Sequence, residues 1–215
     1  MKRMMVSLMA VVLVLTMSVS VFAAGGFISS PSGRKGPELI DAAIVGCDGE
    51  LILISYDERD QLSDDKREVF EESYQQIADN KDLSKVCEEL KDLAEKLGID
   101  VKDLAVSDLF YLDYTGCDDH EGHGPFTVKI RPEYVNNFVG LMAFVNGEWV
   151  LVDGAKVVNG VLTFTGDHYG PYAIVLNTGL SPETGDSFPW IYVVLMGVSA
   201  VGLTAVLVAL KKKTA

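Results

Sequence analysis

The chain is poor in the residues from which most protein chemistry is built. Its 215 residues hold three cysteines, three histidines and two tryptophans. Positive charge is also scarce: 18 Lys and Arg stand against 31 Asp and Glu, a formal charge of −13. Binding nucleic acid needs a basic face that neutralises phosphates, so nucleic acid is excluded as a partner. An odd number of cysteines leaves at least one thiol outside any disulfide within the chain. There is no Gly-x-Ser-x-Gly elbow, no His-Glu-x2-His pair, no phosphate-cradling glycine loop and no repeat at a fixed period. Solvent-prone aromatics are too few to argue for a carbohydrate platform, and no catalytic constellation is identified. The hydrophobic fraction is nonetheless 48%. It is concentrated at the two ends, with the acid between them. That segregation excludes a simple cytosolic enzyme, a disordered acidic chain and a polytopic membrane protein.

At the N-terminus, Lys2 and Arg3 precede a run from Val6 to Ala23 without charge. Two cations, an apolar stretch and small residues at Val21 and Ala23 are the layout of a secretory signal, expected over 1–23 with cleavage after Ala23. The alternative is an uncleaved N-terminal anchor. Near the other end, Trp190 to Leu210 is apolar; at about 1.5 Å per residue a helix there spans roughly 31 Å, the thickness of a bilayer core. Lys211, Lys212 and Lys213 follow. A lysine cluster stays on the cytoplasmic side, so a transmembrane helix over 188–210 with a basic tail at 211–215 would leave the middle of the chain outside. Trp190 and Tyr192 suit the outer headgroup layer.

Immediately upstream stand Ser181, Pro182, Glu183, Thr184 and Gly185, in a linker over 178–187. A Pro-x-Thr-Gly motif, then an apolar span, then a short basic tail, resembles the sortase cell-wall sorting signal of Gram-positive surface proteins. The family pattern usually begins with Leu where this chain has Ser181; a small or polar first residue, with Asp after the Gly, is similar to clostridial-type variants. The resemblance covers Leu180 to Ala215. It implies that a sortase cysteine attacks the Thr184 carbonyl, expels Gly185 onward, and passes the acyl group to an amine of the peptidoglycan precursor. Pro182 keeps the stretch extended for a groove, and Gly185 leaves room for the nucleophile. The partners implied are a sortase, the peptidoglycan precursor and, before sorting, the membrane. The bland alternative is an uncleaved single-span membrane protein with a turn before its anchor.

If both cuts occur, Ala24 to Thr184 keeps 13 basic and 30 acidic residues, a net charge near −17. That length suits one domain. Gly25 to Pro37 is rich in Gly, Ser and Pro and reads as a flexible lead-in over 24–37. The ectodomain, 38–177, is expected to be α+β: an antiparallel β-sandwich-like domain with an inserted helical hairpin at 63–98. Ile40 to Val45 and Leu51 to Tyr56 are apolar, β-branched runs whose connection contains Asp48-Gly49, which predicts a hairpin between them. Ser63 is placed to cap a helix running to Ala78 with Val69, Phe70, Ser73 and Ile77 on one face. A second helix is expected from Leu83 to Leu97, with Val86, Leu90, Leu93, Ala94 and Leu97 as its stripe and Gly98 as its stop. From Ala105 the pattern is strand again: 105–113, 126–131, 138–145, 148–153, 155–158, 161–165 and 172–177. Asn146-Gly147 and Asn159-Gly160 mark tight turns. The stretches Asn136 to Leu141, Gly147 to Trp149 and Pro171 to Val175 resemble a module of surface proteins from gut clostridia, which implies extracellular display.

One loop carries candidate chemistry. Cys117, His120 and His123 form a Cys-x2-His-x2-His spacing whose ligands zinc accepts. His168 or a carboxylate would have to complete the shell, as metal scavenger or metal-dependent hydrolase. The competing reading is a solvated loop between strands. Cys47 and Cys117 are both expected at strand ends, where a disulfide or two reduced thiols fit equally well, and Cys87 beside a helical stripe suits burial.

Overall fold

The computed structural model describes residues 25–31, 35–46, 49–116 and 125–179. Their strands are β1 (Glu38–Ile44), β2 (Glu50–Ser55), β3 (Leu104–Thr115), β4 (Phe126–Arg131), β5 (Phe138–Val145), β6 (Glu148–Leu151), β7 (Lys156–Val158), β8 (Val161–Gly166) and β9 (Gly170–Asn177). Two helices, α1 (Asp64–Ala78) and α2 (Glu89–Leu97), lie between β2 and β3. The strands form two antiparallel sheets, ordered β1-β4-β8-β7 and β2-β3-β9-β5-β6. The fold is thus α+β, two packed antiparallel sheets with helices inserted after the second strand.

The five-stranded sheet is covered on both faces. One face packs against the helices: Leu104, Val106, Leu109 and Tyr111 of β3 join Phe70, Ile77, Leu90 and Ala94 in a single core. The opposite face, with Phe110 and Leu112, meets Phe126, Val128, Ile130, Leu162 and Phe164 of the other sheet. Side chains alternate along a strand, so Val106 and Leu109 could not share a face in regular pairing. A register shift between Val106 and Asp108 supplies the extra residue that puts them there. A similar shift in β5, between Phe138 and Gly140, lets Val139 and Met142 face the helices together. β9 lies at the centre and all eight of its residues are buried. The two Asn-Gly pairs close tight turns with both residues at positive φ, 53° and 87° at Asn146 and Gly147, and 51° and 77° at Asn159 and Gly160.

Five expectations need correction. β1 and β2 do not form a hairpin: β1 pairs with β4 and β2 with β3, in different sheets. An apolar run predicts a strand but not its partner, and cross-strand charges favour β4 here, where Lys129 pairs with Asp41 at 2.7 Å and Arg131 with Glu38 at 2.9 Å. The second helix is shorter than its stripe. Leu83–Lys85 is a 3-10 turn, and α2 begins only at Glu89. Gly98 does end it, in the left-handed region at φ 68°. On α1, Phe70, Ser73 and Ile77 are buried as expected but Val69 is exposed, as is Leu97 on α2. Ser63 occupies the N-cap, but its side chain does not bond the helix's backbone N–H groups. Finally, the lead-in is fastened at its start. Gly26 N–H donates to the Ile77 carbonyl, Val106 N–H donates to the Gly26 carbonyl, and Phe27 is buried against the ring of Tyr74 at 5.3 Å.

Candidate functional site

The residues singled out from sequence lie mostly outside the described ones: Ala23, the sorting motif Ser181 to Gly185, the predicted span 188–210, and Cys117, His120 and His123. Among the described residues, no helix is long and apolar enough to cross a bilayer, and no group of three or more His, Cys, Asp or Glu is gathered to hold a metal ion. The described flanks of the Cys117 loop do converge. Tyr114, near the end of β3, and Phe126, at the start of β4, both pack on the ring of Tyr169, at 4.8 and 5.0 Å. His168 immediately precedes Tyr169, so its backbone lies near those flanks. Cys87 is buried beside the helices, and its Sγ lies 3.1 Å from the Glu89 carboxylate. Burial, then that carboxylate, pushes its thiol up to about 12, which disfavours the nucleophilic thiolate at neutral pH.

The most connected polar cluster ties the helical layer to the sheet. Tyr56 follows β2, and its phenol donates to Glu71 of α1 at 2.6 Å. The Arg59 guanidinium pairs with the same carboxylate and lies over the Tyr56 ring, 4.6 Å from its centre. Burial, then the Glu71 carboxylate, raises the Tyr56 phenol well above its usual range. Burial by itself would raise Glu71; the hydrogen bonds from Tyr56 and Arg59 together outweigh it and hold that carboxyl below its ordinary value. Nearby, Lys66 of α1 reaches Asp113 of β3 at 2.7 Å. Both Glu71 oxygens and the Tyr56 hydroxyl are engaged within the cluster, so it fastens the helix to the turn after β2. Tyr56 and Glu71 are 15 positions apart, on a 3-10 turn and a helix, and no local spacing announces such a pairing.

Two openings could receive a partner. The larger, about 1160 Å³, lies between the helical layer and the β5–β6 turn. Gln76, Asn80, Lys85, Glu89 and Asp92 line it with mixed charge, and buried Trp149 forms its floor. Gln76 closes one side by donating to the Gly147 carbonyl at 3.1 Å. The other opening is a crevice of about 580 Å³ between β1 and β2, lined by Leu39 to Ile44 and by Gly49 to Leu51. Past Leu39 this crevice continues into a space of about 380 Å³ bounded by Lys35, Leu53, Asp57 and Glu58. Both chemistries suit recognition of a polar or extended partner. Comparison with protein-family models, curated proteins and solved structures finds no match to this chain.

Proposed function

We propose that the protein is an exported surface protein which a sortase cleaves between Thr184 and Gly185 and joins to peptidoglycan, leaving the α+β domain displayed for adhesion or another interaction. One observation carries this reading: an export signal, Pro182-x-Thr184-Gly185, an apolar span and a lysine cluster occur in that order. Each part serves the transfer. The span and lysines hold the chain at the membrane. Pro182 keeps the motif extended, and the Thr184 carbonyl is the acyl donor. The Thr184–Gly185 bond breaks, Gly185 leaves as an amine, and the wall precursor's amine takes the acyl group. The acidic domain between the ends fits display in water.

Cell fractionation tests it. Thr184→Ala is expected to move the protein from the wall fraction to the detergent-extractable membrane fraction, and mass spectrometry of the native C-terminus is expected to end at Thr184 with a wall-derived amine attached. Native molecules that keep residues 185–215 would instead make it a single-span membrane protein.

A second reading is an exported zinc-binding protein or metal-dependent hydrolase using Cys117, His120 and His123. It is favoured by His168 standing beside the loop's flanks. Zinc content of the purified protein below about a tenth of an equivalent rejects it, since a site built from such ligands retains its ion.

A further inference from the structure

The two sheets have four edge strands, and they are unequal. β6 has four residues and β7 three, lengths that leave little template for another chain. β1 has seven and β2 six, and these two longer edges flank one crevice. The backbone phase of β1 follows from its ladder. Val45 N–H donates to the Pro125 carbonyl at 3.0 Å, so Val45 and Pro125 are a hydrogen-bonded pair. Counting back along the register, Ala43 with Thr127 and Asp41 with Lys129 are also bonded pairs. Ala42 and Ile44 alternate with them, so their N–H and C=O groups point away from β4 toward the crevice. Among the described residues, no strand pairs with that side. β1, like the short β7, has no fully buried residue. The crevice is acidic: Glu50 lines one end, and Asp57 and Glu58 the other, against Lys35.

We propose that the outer edge of β1 is a strand-addition site for an extended, cationic segment of a partner polypeptide. Backbone bonds to Ala42 and Ile44 supply the pairing, and the carboxylates at the crevice ends select positive side chains. This surface would be the same on a wall-linked or a membrane-retained chain, so it stands or falls separately from anchoring.

The test uses the full chain in a neutral detergent and three labelled hexapeptides, read by fluorescence anisotropy: alternating Lys-Val, alternating Glu-Val, and Lys-Val with alternate backbone nitrogens methylated. The Lys-Val peptide is expected to bind, with the other two weaker by about tenfold or more, the upper end of one lost hydrogen bond or charge contact. Ala42→Pro removes an N–H that β4 does not use and that otherwise reaches the neighbouring Asp41 carboxylate, and proline is tolerated on that side of an edge. It is expected to weaken binding by about tenfold while circular dichroism stays unchanged. Should that variant fail to fold, Glu50→Lys, at an exposed position, is expected to reverse the preference between the Lys-Val and Glu-Val peptides. Equal binding of the methylated peptide, an unaltered affinity in folded Ala42→Pro, an unchanged preference in Glu50→Lys, or no binding at all would overturn the proposal. A concentration-dependent dimer that Ala42→Pro abolishes would make the occupant a second copy and overturn the choice of a cationic partner.

Discussion

The two faces of the five-stranded sheet are buried by different chemistry. Toward the four-stranded sheet the contact is apolar and largely aromatic. Phe126, Phe164, Tyr172 and Phe110 follow one another with ring centres 6.4, 5.4 and 5.8 Å apart, and the Tyr172 hydroxyl is absorbed by the backbone carbonyl of His168. Toward the helices the aromatic chain runs through Phe27, Tyr74, Tyr56, Phe70 and Tyr111, and there Tyr56 reaches the Glu71 carboxylate. One face relies chiefly on aromatic and aliphatic packing. The other combines packing with ionic fastenings, which respond to pH.

Truncation of the apolar face should have the largest effect. Phe126→Ala removes a fully buried ring and is expected to destabilise by about 3–5 kcal/mol, whereas Leu90→Ala in the helical layer is expected at about 2–5 kcal/mol and nearer the lower end, because a helix on a sheet can settle into the space. Urea titration measures both; a larger loss from Leu90→Ala would reverse the ranking of the two faces.

Acid should then single out the helical face. Glu71 has a folded pKa below its ordinary 4.5, so its contribution is complete above that value and is lost as pH falls through the lower folded one. Glu71→Gln is expected to be less stable than the native chain at neutral pH and to flatten the decline below about pH 4.5. Parallel acid curves for the two proteins would show that the Tyr56–Arg59–Glu71 cluster does not couple to folding.

The smallest effect is kinetic. Cys87, buried in the helical layer with its thiol pushed up to about 12, should resist a thiol reagent in the native protein. If the helical face opens by itself, Cys87 labelling should be faster than global unfolding permits. Equal rates would make both faces one cooperative unit.

Much of the element pattern was legible locally. The runs at 126–131 and 138–145 are strands with those bounds, and the two Asn-Gly turns close as their residues demand. Period and turn chemistry act over a few residues, so they can be read in order. The helix at 83–97 misled because 3-10 and α turns share much of their apolar spacing. The lead-in misled because its composition says nothing of Phe27, whose burial depends on Tyr74 and Val106 far along the chain. Of the site residues named from sequence only His168 falls among the described residues; Ala23, Cys117, His120, His123 and Ser181 to Gly185 lie outside them. The tyrosine–arginine–glutamate cluster and the β1 edge had no local signal.

The sequence by itself determined the strand and helix periods, the acidic character of the middle, and the apolar and basic ordering of the ends, because each is a property of neighbouring residues. Tertiary structure alone decided that β1 joins β4 rather than β2, that the register shifts in β3 and β5 realign their buried faces, and that two long edges border one crevice. Those choices compare the burial and pairing of segments distant in sequence, and that competition is settled only when the sheets pack.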